Sequence, residues 1–141
     1  MKVLPLRLTP GQDLREALEA VVLDQGCQAG FVLSGVGSLA NAHIRFAGAE
    51  APSLVAGDSE ILTLSGTLGV SDPSVMARTH SHLHMAVASA TGEVWGGHVA
   101  PGCRVRTTAE VLLALLPEWS FSREADAATG FLELVVRSRG G

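Results

Sequence analysis

Four of the five histidines of this chain stand close together: His80, His82 and His84 occupy every second position, and His98 follows the pair Gly96-Gly97. Alternate residues of a β-strand project from the same face, so the first three share one surface. Imidazole nitrogens ligate transition ions at about 2.0–2.1 Å, and three of them with an open fourth position form the donor set of a catalytic zinc site, where the ion acidifies a bound water or polarises a substrate. A lone strand histidine is most simply a hydrogen-bonded structural residue. It is the grouping that points to a metal.

Whether His98 joins the group depends on the turn between two strands, read here as His80 to Ser89 and Glu93 to Ala100. A two-residue loop at Thr91-Gly92 would set Met85 opposite His98 and send the imidazoles to different faces. A three-residue loop, Ala90-Thr91-Gly92, sets His84 opposite His98. The second fits, because such loops end in a residue of left-handed conformation and Gly92 stands there. Opposed residues have Cβ atoms about 4.5–5.5 Å apart, so His82, His84 and His98 can reach one ion. Gly96 and Gly97 would leave space for a ligand beside His98, with His80 outside the ligand set.

The rest of the chain supplies the scaffold. Val3 to Leu8, interrupted by Pro5, reads as an edge strand. Thr9-Pro10-Gly11-Gln12 reads as a helix start with Thr9 as cap. Leu14, Ala17, Leu18, Val21 and Val22 follow at helical spacing and stop near Gly26. Ala29 to Val36, the alternating Ala42/Ile44/Phe46 segment and Glu60 to Gly69 read as strands, with a loop from Ala47 to Gly57 and a turn through Asp72-Pro73. A short strand, Cys103 to Arg106, precedes Thr107-x-x-Glu110, a capping box opening a second helix that Pro117 ends. Phe131 to Val136 closes the sheet. The expected fold is α+β: a mainly antiparallel β-sheet with two helices in a single domain.

Bulk properties exclude several functions. At 141 residues the chain can bury one core, and 47% hydrophobic against 17% charged residues argues against disorder. A mean hydropathy of +0.31 favours an apolar patch covered by another copy. The net charge is −4 and the ten basic residues are scattered, unlike the basic face of a nucleic-acid binder. The segment MKVLPLRLTPGQ has no apolar run of signal-peptide type, and no stretch approaches the ~18 apolar residues that span a bilayer. With Cys27 and Cys103 read as reduced thiols, a cytoplasmic protein is expected.

Three further signals weaken on inspection. Gly35-x-Gly37-x-x-Ala40 imitates a dinucleotide fingerprint, but a strand pattern follows it where a helix is required. Cys103 lacks an activating environment. His43, between Asn41 and Arg45, reads as a solvated or interface residue.

The stretches His82-Leu83-His84, Thr91-Gly92-Glu93-Val94, Gly96-Gly97-His98-Val99 and Thr107-Thr108-Ala109-Glu110 together resemble the PPC (plants and prokaryotes conserved) domain. So do Ser34-Gly35-Val36-Gly37, Glu60 to Leu68, and Arg123, Asp126 and Thr129-Gly130-Phe131. The likeness runs over nearly the whole of residues 1–141. It implies a homotrimer with the three matched histidines, His82, His84 and His98, as a metal site near subunit boundaries. It does not imply what stand-alone members do; the expectation here is a site for zinc or another divalent transition metal with a ligand-binding or regulatory role. Plant members join this domain to an AT-hook for the DNA minor groove. No such segment is present here, so the family's DNA-binding label gains no support. The H-x-H … H arrangement is also more distantly similar to the zinc site of acetolactate decarboxylase. That likeness implies the alternative of a zinc-dependent lyase or hydrolase acting on a small molecule, assisted by an arginine and a carboxylate. Glu60 is the carboxylate candidate, a solvated strand-edge residue being the competing reading.

Overall fold

Alternation at every second residue governs most of the chain, and the secondary structure follows it. The computed structural model describes residues 1–70 and 78–140; the turn expected through Asp72-Pro73 lies outside them. The described elements are β1 (Lys2–Leu8), α1 (Leu14–Asp24), β2 (Ala29–Arg45), β3 (Ser53–Val55), β4 (Ser59–Val70), β5 (Thr79–Ser89), β6 (Val94–Val99), β7 (Arg104–Leu115), β8 (Trp119–Ala125) and β9 (Leu132–Ser138). The larger sheet runs β1-β7-β2-β4-β5-β6, and the end of β2 pairs with β6 through Ile44↔Val99 and Arg45↔His98. Strands β2, β4, β5 and β6 therefore close on themselves. Long β2 makes this closure possible, because register shifts between Val32 and Ser34 and between Gly37 and Asn41 bend it around the core.

Inward residues of this sheet form the core: Val32, Leu39 and Ile44 from β2, Leu64 and Leu68 from β4, Leu83, Met85 and Val87 from β5. Helix α1 adds Leu14, Leu18 and Val22, each at most 1% exposed. Its start is Asp13, not the expected Thr9. The Asp13 carboxylate accepts from the amides of Arg15 (3.0 Å) and Glu16 (3.1 Å) and also from the Gly102 amide (2.6 Å). The Thr9–Gln12 contact exists, Gln12 Oε1 accepting from Thr9 N at 2.8 Å, but it closes a turn ahead of the helix. The helix ends as expected: Gly26 N donates to Leu23 O and Cys27 N to Val22 O, the Schellman pattern.

Two expectations about the second half are overturned. Among the described residues there is one helix, not two, because Thr107 to Leu115 continues β7 as a strand. Its capping-box residues are drawn into sheet pairing: Thr107 Oγ1 lies 2.6 Å from Ser38 Oγ, and Glu110 faces Arg7 on β1 and Val36 on β2. Val105, Ala109, Val111 and Leu113 point inward at the strand period, which outweighs a local helix-start signal. Phe131 to Val136 does not close the main sheet either. It lies largely in β9, which among the described residues pairs only with β8, a strand not expected from the sequence. This hairpin folds over the outer surface, Phe121 packing edge-on to Phe31 with ring centroids 5.7 Å apart. Pro5, opposite Leu112, does sit on an edge strand.

Helix α1 is tied to the start of β5 by Glu19, whose carboxylate accepts from Ser81 Oγ (2.5 Å), Thr79 Oγ1 (2.9 Å) and Arg15 Nε (2.9 Å). Burial alone would raise the Glu19 carboxyl; the hydroxyls and the guanidinium overcome it and hold the group below the ordinary glutamate value. A carboxyl lowered by folding contributes stability that is complete above the unfolded value and disappears as pH falls through the folded one. Glu19→Gln should therefore cost about 1–3 kcal/mol in urea unfolding at pH 7. The difference from wild type should shrink as the pH falls below the glutamate range, and an undiminished difference in acid would refute this assignment.

Candidate metal centre

Strand β5 turns alternate faces to the core and to solvent. Leu83, Met85 and Val87 are buried, so His82 and His84 must point outward. Ser89 N donates to Glu93 O at 2.8 Å and Gly92, at φ 83°, completes a three-residue loop. The register is the expected one, with His84 directly opposite His98.

The three imidazoles converge. His82 Nε2 lies 3.1 Å from His84 Nε2, which lies 3.1 Å from His98 Nδ1. Ring centroids are 4.3–4.9 Å apart, with His82 and His98 nearly parallel and His84 edge-on to both. One ring nitrogen from each falls within 4.8 Å of the other two. Nitrogens bound to a common ion at 2.0–2.1 Å with angles of 90–110° stand about 2.9–3.4 Å apart. Both short separations fit that range, so the donor set suits a divalent ion without rearrangement of the backbone.

The surrounding field disfavours protonation of His98 and His82. Burial first, then the His84 imidazole, the Arg45 guanidinium and His82 push His98 down to about 4. Burial also lowers His82, helped by Arg123 and His84 and opposed by the Glu133 carboxylate. Neutral imidazoles are the metal-binding form. Arg45 pairs with His98 in register, and Arg123 donates to Thr67 Oγ1 at 3.1 Å, Thr67 being the residue opposite His82. Neither arginine was identified from the sequence. Arg45 could have been found from its place in the alternating strand, whereas Arg123 arrives through the folding-over of β8, which no local pattern signals.

The remaining candidates lie elsewhere. His80 shares the outward face but leans away, its Nε2 3.0 Å from the Phe121 carbonyl oxygen. Glu60 is exposed and sits opposite Ala88, four residues along β5 from His84, or about 13 Å by strand rise. His43 packs on Gly102 and exchanges backbone contacts with Cys103 Sγ (3.3 and 3.4 Å). Burial, with Asp13 adding, raises that thiol to about 11, consistent with an inert cysteine, and neither cysteine is in a disulfide.

Gly97 has a different use from the one expected. It faces inward, and a Cβ there would lie 2.5 Å from the Arg45 carbonyl oxygen. Its missing side chain admits the backbone of β2, not a ligand. Gly96 shares the outward face with His98, and a Cβ there would meet nothing closer than 3.4 Å.

Comparison with known proteins places the chain. The Plants and Prokaryotes Conserved (PCC) domain family matches residues 1–117. A bifunctional protein GlmU of a Synechococcus strain is 49% identical over 144 residues, covering 100% of this chain but 21% of its own length. The chain thus spans about a fifth of that relative. Among solved structures, a hypothetical protein from Salmonella is 38% identical with a TM-score of 0.87, over 98% of this chain and 94% of that one. A metal-containing protein from Archaeoglobus fulgidus is 27% identical with a TM-score of 0.78, over 96% and 94%. Gly97→Ala should separate β6 from β2 and cost about 1–3 kcal/mol, with faster amide exchange at Val99. Gly96→Ala should stay within about 1 kcal/mol, and equal costs for the two would contradict the close approach described here.

Proposed function

The chain belongs to the Plants and Prokaryotes Conserved domain family, and from that premise we propose that it binds zinc or another divalent transition ion through His82, His84 and His98, in a ligand-binding or regulatory role. The observation that carries this reading is the approach of three ring nitrogens, two separations being 3.1 Å, on a surface open to solvent. An ion bound there would supply Lewis acidity to whatever reaches its free coordination positions. The residues themselves hold, orient and shield: β5 and β6 fix the imidazoles, Arg45 and Arg123 flank them, and Glu19 anchors the strand start. That the similar Archaeoglobus protein is described as metal-containing supports the same reading.

A second reading is a metal-dependent lyase or hydrolase, favoured by the arginines beside an open site. In it the carboxylate role falls more naturally to Glu133, whose field reaches His82, than to Glu60. A nucleic-acid role finds little support in a net charge of −4. Among the described residues, no helix is long and apolar enough to cross a membrane.

Self-association, as a homotrimer, is part of the proposal. Leu33, Val36 and Leu112 are 38–51% exposed on the outer surface of β2 and β7, and a monomer would leave this apolar patch in water. Light scattering should give three times the 14.6 kDa chain mass, and Leu33→Glu should shift the protein towards monomer. A monomeric wild-type protein would refute that part.

Elemental analysis of protein purified without added metal tests the centre itself. Close to one ion per chain is expected, falling at least tenfold in His82→Ala and in His98→Ala, with Glu60→Ala unchanged. Metal content unaffected by either histidine substitution would overturn the assignment.

A further inference from the structure

Two arginines stand at opposite ends of the histidine group. Across the outer surface the strands run β4, β5, β6, β2, and the residues met in that order are Thr67, His82, His84, His98 and Arg45. Arg45 lies directly opposite His98, where paired side chains share a face with Cβ atoms about 4.5–5.5 Å apart. Arg123 reaches the other end of the band from β8, its Nη2 donating to Thr67 Oγ1 at 3.1 Å. Arg45 Nη1 donates to the Ala49 carbonyl oxygen at 3.3 Å.

A guanidinium carries five N–H donors. Among the described residues each of these two makes a single hydrogen bond within the chain, and neither joins an ion pair. Both are only partly exposed. Elsewhere Arg15, Arg106 and Arg137 are matched with Glu19, Asp58 and Glu124. In a chain of net charge −4, two guanidiniums outside any ion pair flank the histidines, the Glu133 carboxylate near His82 being the acidic group in their field, and a divalent ion between them would add positive charge. Like charges this close repel. An anion relieves that repulsion, and planar N–H pairs on a guanidinium suit the two oxygens of a carboxylate or phosphate.

Building on the metal reading, we infer that the centre accepts a small oxyanion, a carboxylate or phosphate compound, met by Arg45 at one end and Arg123 at the other. The band sets the ligand's length: it crosses three strand spacings, about 14 Å, less the reach of the two arginine side chains, which suits a compact acid and not a polymer. Neutral molecules would offer neither guanidinium a counter-charge.

Calorimetric titration of the purified protein, its metal content measured first, tests this with oxalate in one series and inorganic phosphate in another. Binding of at least one is expected; oxalate alone would identify a carboxylate ligand, phosphate alone a phosphorylated one. Arg45→Gln and Arg123→Gln should each weaken binding roughly tenfold to hundredfold, with metal content and circular dichroism unchanged. Arg106→Gln should bind as wild type does. No binding of either anion by wild-type protein, or affinities within twofold in both arginine variants, would overturn the inference. If the wild-type protein holds no metal, the preceding reading fails by itself, and the dependence of anion binding on the two arginines still decides this one.

Discussion

Everything at the candidate centre depends on the register between β5 and β6. A strand has two faces, and a slip of one residue exchanges them. Here such a slip would bury His98 and expose Val99, so the core and the histidine group are specified together. The apolar residues Leu83, Met85, Val87 and Val99 fill the interior only in the register that sets His84 opposite His98. Folding energy thus fixes the site geometry without any imidazole contributing to the core. The turn at Ala90-Thr91-Gly92 adds a local reason for the same register, which makes the agreement between local and global preferences unusually direct.

The second constraint is closure. β2 reaches β6 only at its last residues, and the strands approach closely because Gly97 has no side chain where the Arg45 carbonyl passes. This contact brings Arg45 beside His98. The glycine thereby connects a backbone packing requirement to the electrostatics of the site, though it touches no ligand. Helix α1 performs a parallel service at the other end of β5 through Glu19. The histidine strand is held at its start by a charged side chain, along its length by the core, and at its end by a turn.

How much of this was legible in the sequence follows from the range of the forces involved. The outward set His82, His84, His98 was legible because a two-residue period and one turn determine it. The edge strand with Pro5 and the end of α1 at Gly26 were legible for the same reason. Thr107 to Leu115 was not: Thr107 and Glu110 imitate a helix start, and only pairing with β1 on one side and β2 on the other shows that the segment is a strand. The position of Arg123 was equally hidden, since it depends on β8 doubling back over Thr67. Glu60 attracted attention as a strand carboxylate, but a shared face is not proximity, and four residues of strand rise separate it from the centre. Long-range strand pairing therefore decided these points, whereas the start of α1 at Asp13 was decided by which of two nearby side chains caps the first turn.

The hydrogen bonding of the imidazoles sets His80 apart from its three neighbours. His80, on the same face, has a fixed acceptor in the Phe121 carbonyl. Among the described residues, the bonds made by the rings of His82, His84 and His98 run only to one another. A ring serving a purely structural purpose would be expected to end, like His80, on a backbone partner that outlasts changes in protonation. Among these three rings both contacts meet at His84 Nε2, and a ring nitrogen of a neutral imidazole has either one proton or one lone pair, so that nitrogen cannot serve both bonds strongly. A cation at their centre satisfies all three at once. The comparison between His80 and its three neighbours, on one surface and under one strand geometry, is thus the strongest internal reason to read the group as a metal site and not as a cluster of surface histidines.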